Sequence, residues 1–205
     1  PGVGLLRRVR DAVENAWPKP LEIEEHSHAA MANAYEAGAA GLPCAIFRGY
    51  KGADLPKVNP DIKSIICPYT GEELATVPAH NPDVAFIHAQ KANEKGDVLI
   101  EGIVGVQKEV ALAAKKVVVT VEEIVPDFAG MHPNLSILPH WTVTAIAKVK
   151  GGAHPSYTHG YYARDNAAYL AWNEISADRD LFAKWMDENV LNATPEAFAD
   201  RVKGL

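Results

Sequence analysis

With 205 residues, 48% of them hydrophobic, the chain is long enough for one sizeable core, or one domain with appendages. Charged residues make up 22% and aromatic residues 8%, which excludes the composition of a disordered protein. The formal net charge of -6 argues against a nonspecific nucleic-acid binder, because phosphate contacts need Lys and Arg in excess. No apolar run approaches the length of a membrane span.

Apolar Leu5, Leu6, Val9, Val13 and Ala16 recur at three- and four-residue steps and predict a helix over Leu5 to Trp17, stopped by Pro18 and Pro20. A second helix starts near Ser27 as N-cap and runs along an Ala-rich face to Gly41. After Leu42-Pro43 comes a strand at Cys44 to Phe47. Arg48 to Pro60 holds Gly49, Gly52, Pro56 and Pro60 and reads as a long irregular loop, a kind usually functional or disordered.

Strands follow at Ser64 to Cys67, Glu73 to Val77 and Val84 to Ala89, then a Glu94-Lys95-Gly96-Asp97 turn and a strand at Val98 to Glu101. A Gly-containing turn leads to a helix over Val106 to Lys115 and a strand over Lys116 to Val121 that ends in Glu122 and Glu123. Further strands are expected at Leu135 to Leu138 and Thr142 to Val149. The last part is helical: Asn166 to Ala177, Arg179 to Val190 and Pro195 to Val202, the last with Thr194 as N-cap.

Strands alternating with helices predict an α/β fold: an open, largely parallel sheet flanked by helices, with a helical C-terminal tail over residues 166–205. A single domain over residues 1–205 is expected. Cys44 and Cys67 lie in apolar surroundings and read as reduced, buried thiols. With no leader pattern at the start, the chain reads as cytoplasmic. Its opening Pro1-Gly2-Val3, without Met, reads as a fragment or an incomplete sequence.

Eight histidines invite a metal reading, but none shows HExxH spacing or a Cys/His pair at ligand separation, so no metal is expected. His26 and His28 are two residues apart; His132, His140, His154 and His159 sit near Pro or Gly. There is no GxSxG elbow and no GxxxxGK[ST] loop, and Gly102-Ile103-Val104-Gly105 is not GxGxxG. Glu122 and Glu123 at a strand end read either as acid–base or nucleophilic carboxylates, or as structural groups bonded to backbone amides. His28 reads either as an oxyanion contact at a helix start or as part of a solvated cap with Glu24, Glu25, His26 and Ser27.

Four segments together cover nearly the whole chain. They are His28 to Gly41 followed by Leu42-Pro43; Val84 to Gly102 (VAFIHAQKANEKGDVLIEG); Val98 to Val125 (VLIEGIVGVQKEVALAAKKVVVTVEEIV); and Gly151 to Asn166 (GGAHPSYTHGYYARDN). In this order they resemble the family I coenzyme A-transferases, on the side of the glutaconate CoA-transferase A-type chain. The resemblance implies exchange of CoA between two carboxylic acids by a ping-pong route. A glutamate of a B-type partner carries CoA as a thioester, and the assembly is A2B2. Coenzyme A enters as substrate, and no cofactor is held permanently.

Counting back from Leu42-Pro43, His28 falls where related 3-oxoacid CoA-transferases carry a Gln that helps polarise the thioester carbonyl. Ring-cleaving CoA hydrolases look to have a catalytic Glu there, so His at this place weakens a hydrolase reading. His28 is the expected carbonyl or oxyanion contact, and Ser27, Arg48, Tyr50, Glu101 and Gly102 are the expected substrate contacts. The loop Arg48-Gly49-Tyr50-Lys51-Gly52 resembles a family loop near the acyl pocket, where Arg48 or Tyr50 could take a carboxylate. A hydrolase of the same fold and a noncatalytic structural chain are the alternatives. Two departures stand out. The family's Gly-rich N-terminal segment does not precede Leu5, so the chain is expected to be inactive alone; and Asp97 replaces the usual Asn after the turn glycine.

Overall fold

The computed structural model describes residues 6–132 and 135–204. Leu5, at the start of the first predicted helix, lies outside the described residues. Helix α1 (Arg7–Asn15) ends where Ala16 turns left-handed at φ 55° ahead of Pro18. Helix α2 (His28–Ala39) starts on Ser27, whose Oγ accepts from the Ala30 N–H at 3.1 Å. Strand β1 (Cys44–Phe47) follows. The stretch predicted as irregular holds one helical turn, α3 (Leu55–Val58), with Pro56 in its first turn, where a missing N–H costs nothing.

The next elements are β2 (Lys63–Ile66), β3 (Glu73–Pro78), β4 (Ala85–Asn93), β5 (Val98–Ile100), α4 (Gln107–Ala113), β6 (Val117–Val125), β7 (Ser136–Leu138) and β8 (Ala145–Lys148). The C-terminal helices are α5 (Asn166–Ile175), α6 (Arg179–Met186), which runs on into a wider π turn over Asp187–Leu191, and α7 (Pro195–Arg201). Two strands outrun their predicted ends. β4 continues through Gln90, Lys91 and Asn93, and β6 through Glu122 and Glu123, in register with Lys91 opposite Glu123 and Ala92 opposite Ile124. Polar side chains mask the pattern there, yet each has a partner. Conversely, Thr142 belongs to a 3-10 turn over His140–Thr142, and β8 begins only at Ala145.

The chain divides into two compact units. The first, Glu24–Val149, holds a five-stranded sheet in the order β7-β5-β4-β6-β8. Strands β4, β6 and β8 run parallel; β5 runs antiparallel to β4 and to β7. One face packs Ala85, Ile87, Ala89, Val117, Val119 and Val121 with Val98, Ile100 and Leu138 beneath Ala111 of α4. That alternation is why β4 and β6 form as strands and why their register is specified. Strands β1, β3 and β2 form a separate antiparallel sheet in that order. β2 and β3 pair antiparallel because a tight turn rather than a helix links them. In it Gly71, at φ 70°, donates its N–H to the Cys67 carbonyl (2.9 Å). Ala45, Ile62 and Val77 of this region cover Ala30, Ala34 and Ala37 of α2. Cys44 and Cys67 are free thiols, half-buried rather than fully so.

The second unit joins the described residues up to Ile23 with those from Lys150 onward. Arg179 grips Asp11 with two hydrogen bonds, Nε to Oδ2 at 2.9 Å and Nη2 to Oδ1 at 2.7 Å. Rings of Trp17, Phe182, Trp172 and Trp185 meet edge to face in series. Gly151 lies against Val202 and sits at φ 70°, a conformation and a spacing that leave no room for a Cβ.

Candidate functional site

Helices α2 and α4 set the site. They pack on each other, with Gly38 near the end of α2 so close that a Cβ there would lie 3.1 Å from the Ala113 Cβ, at the end of α4. Their carboxyl ends therefore lie together. His28 opens α2, and the Gly102–Gly105 turn feeds the amino end of α4. In that turn Gly102 (φ 90°) and Gly105 (φ 57°) are both left-handed, which explains glycine at both places.

Both helix starts are braced. On the α2 side, the Ser27 N–H donates to Tyr50 Oη at 2.8 Å, and Ser27 Oγ caps the helix. Ser27 also accepts from the Met31 N–H through its carbonyl, so the amides of His28 and Ala29 lead the helix, with no partner among the described residues. His28 is exposed there. The preceding segment is tied down too: Asn59 Nδ2 donates to the Glu25 carbonyl at 2.9 Å, and His26 Nε2 bonds Glu24. On the α4 side, Gln90 clamps the Glu101 backbone twice, accepting from its N–H at 2.9 Å and donating to its carbonyl at 3.1 Å.

Tyr50 itself sits at φ 60°, unusual for a bulky residue, with its ring against Phe47 at 5.7 Å. Backbone held in this way clusters at ligand sites. Beyond Tyr50 opens a cavity of about 390 Å³ between the 49–53 loop and strands β2 and β3, with Lys51, Lys63, Ser64 and Glu73 in its wall. Arg48 behaves differently. Its guanidinium turns to Glu72, Nε at 3.0–3.1 Å from both oxygens and Nη2 at 2.9 Å from one, and it does not line this cavity.

Of the residues singled out from sequence, Ser27 and Tyr50 are in contact and His28 follows Ser27 on α2, while Glu101 and Gly102 lie on the stretch that feeds α4. Arg48 is engaged elsewhere. Glu122 is buried, with His88 Nε2 2.8 Å from its carboxylate and His88 Nδ1 2.8 Å from Thr120 Oγ1. Glu123 pairs with Lys91. Gln90 and Asn59 escape a reading by sequence, and so does the bond between Glu24 and His26, which sequence groups only as a polar cap. Their signal is thin: polar residues inside apolar strands or beside Pro, each bonded to backbone or to a neighbour. Asp97, in place of the family's Asn, accepts from Asn93 Nδ2 (3.0 Å) and the His140 N–H (2.8 Å). These bonds hold its carboxyl below the usual range, Asn93 first. Among the described residues no group of three His, Cys, Asp or Glu stands close enough to hold a metal, and no helix is long and apolar enough to cross a membrane.

Comparison with known proteins decides what this frame belongs to. The family described as Coenzyme A transferase matches residues 11–149. The chain belongs to the coenzyme A-transferase family. Within it the chain is of the A type. It is 60% identical over 190 residues to the A chain of 3-oxoadipate CoA-transferase from Pseudomonas knackmussii, covering 93% of this chain and 67% of that one. It is 32% identical to the A chain of glutaconate CoA-transferase from Acidaminococcus fermentans, where it spans 59% of the relative's length. The crystal structure of glutaconate coenzyme A-transferase from that organism superposes with a TM-score of 0.86 at 28% identity, over 97% of this chain and 67% of that one. The likeness thus runs through both units and includes the α2–α4 frame.

Proposed function

We propose that this chain is the A-type subunit of a CoA-transferase that moves CoA between an acyl-CoA and a carboxylic acid, working with a B-type partner in an A2B2 assembly in the cytoplasm. A glutamate of the partner attacks the thioester carbonyl, giving a mixed anhydride and CoA thiolate. The thiolate attacks the glutamyl carbonyl and releases the first acid, leaving glutamyl-CoA; the second acid reverses both steps. Coenzyme A is substrate throughout, with no permanently held cofactor. A carboxylate is a weak nucleophile in water, so the reaction depends on positioning, exclusion of water and a prepared oxyanion site.

This chain's part is the wall that faces the carbonyl. The His28 side chain and the leading amides of α2 are the oxyanion contacts, and Ser27 and Gly102 border the thioester. Tyr50, bonded to the Ser27 N–H, carries the wall on to the acyl cavity. Glu101 is the remaining substrate contact, and Arg48 joins only if Glu72 releases it. The observation that carries the reading is the start of α2, with Ser27 bonded to Tyr50 beside His28, in a chain 60% identical to the A chain of a 3-oxoadipate CoA-transferase.

The test is CoA exchange between acids, with the chain co-expressed with the B-type chain of its source and 3-oxoadipate offered first. CoA passing from one acid to the other supports a transferase. Net loss of thioester in water supports a hydrolase instead. In the assembled complex, His28→Ala is expected to lower turnover about 10²-fold, as for loss of an oxyanion donor. Turnover within about threefold of wild type would remove His28 from the mechanism.

A further inference from the structure

The unit formed by α1 and the C-terminal helices holds a cavity of about 510 Å³ that the proposed transfer does not use. Its walls are the rings of Tyr169, Trp172, Trp185 and Phe198, with Ile175 between them and Arg201 beside them. Of the other polar side chains in the wall, His154 and Asn189 are already engaged. His154 Nε2 lies 3.0 Å from Asp165, and Asn189 Nδ2 donates to the Trp185 carbonyl at 2.9 Å. Arg201 has no carboxylate partner among the described residues, and no Asp or Glu lines the cavity. A concave aromatic site with one uncommitted cation has a definite chemistry.

We propose that this cavity binds a small amphiphilic carboxylate, an aryl-alkyl or medium-chain alkyl acid, with its apolar body against the tryptophans and its carboxylate on Arg201. The volume suits a ligand of drug-fragment size. The guanidinium fork matches a carboxylate, whereas a neutral headgroup gains nothing from it.

Isothermal titration of the complex co-purified with its B-type partner, with saturating CoA present, tests this using 4-phenylbutyrate and its neutral amide as probes. The expected result is saturable binding of one phenylbutyrate per A-type chain, at least about tenfold tighter than the amide. Arg201→Gln should erase that difference, leaving both probes bound equally weakly. Ala171→Trp, which fills the cavity from its own wall, should abolish binding of both. Transferase turnover should stay at the wild-type level in both variants. No saturable binding in the complex overturns the proposal. So does unchanged affinity for phenylbutyrate in either variant, which would place the acid in the catalytic cleft.

Discussion

Replacing Gly38 with Ala probes the frame on which the site is built. A Cβ at this position would run into the His80 carbonyl oxygen, well inside contact distance, and would stand 3.1 Å from the Ala113 Cβ. An ordinary carbon–oxygen contact is roughly 3.3 Å or more, so helix and backbone must part by roughly 1 Å. The oxygen is main chain and cannot rotate away. On its own, Gly→Ala in a helix would stabilise by about 1 kcal/mol. Overpacking costs about 1–3 kcal/mol, and strain on the adjacent bond from the His80 N–H to the Ala34 carbonyl (3.0 Å) adds about 1 kcal/mol.

The net expectation is a loss of about 2 kcal/mol, seen as a Tm lower by about 4–8 °C for a chain of this size. The same change displaces α2, the helix that carries His28. Turnover should therefore fall by about tenfold or more even where the protein is fully folded, given how steeply rate depends on geometry. Urea unfolding at unchanged m-value and the exchange assay well below Tm read the two effects separately. A Gly38→Ala protein as stable as wild type, with wild-type turnover, would refute the close approach and its bearing on the site.

Tyr50→Phe removes the acceptor of the Ser27 N–H; a stability loss of about 1 kcal/mol and a several-fold fall in turnover are expected, with no change in assembly by gel filtration. Glu72→Gln should leave stability within about 1 kcal/mol, because the Arg48 pair is solvent-facing, and thermal melting checks it. Hydrogen bonds from Arg179 lower the Asp11 carboxyl to about 2, aided by Asn15 and by the charges of Arg179 and Arg8. A carboxyl whose folded value is depressed stabilises fully above its unfolded value near 4 and loses that contribution as pH falls toward 2. Circular dichroism melts between about pH 5 and 2 should therefore show a steeper loss for wild type than for Arg179→Gln; parallel curves would contradict the linkage.

Most strands and helices could be read from periodicity, because their apolar faces are regular: β6 from Val117 to Val121 and α5 to α7 fall where expected. What periodicity hid were places where polar side chains occupy strands. Gln90 and Glu122 sit inside β4 and β6 because Glu101 and His88 satisfy them, a fact of tertiary packing with no local signature. The separate β1-β3-β2 sheet was equally hidden, since the pairing of β1 with β3 is long-range and leaves no mark in strand composition. For the site, the residue types at 27, 28, 50, 101 and 102 were legible through family resemblance. The contact of Ser27 with Tyr50 was not, since it joins residues 23 apart with no local signature. Arg48 looked available in sequence because Glu72, its partner, lies on a different strand connection.

The central claim is that this chain forms the wall and its partner the nucleophile. Mass spectrometry of the co-purified complex, incubated with an acyl-CoA and no acceptor acid, addresses it directly. The account predicts a hydroxylamine-sensitive CoA adduct on a glutamate of the B-type chain, and none on this chain. An adduct on this chain, at Glu25, Glu101 or Glu122, would contradict it.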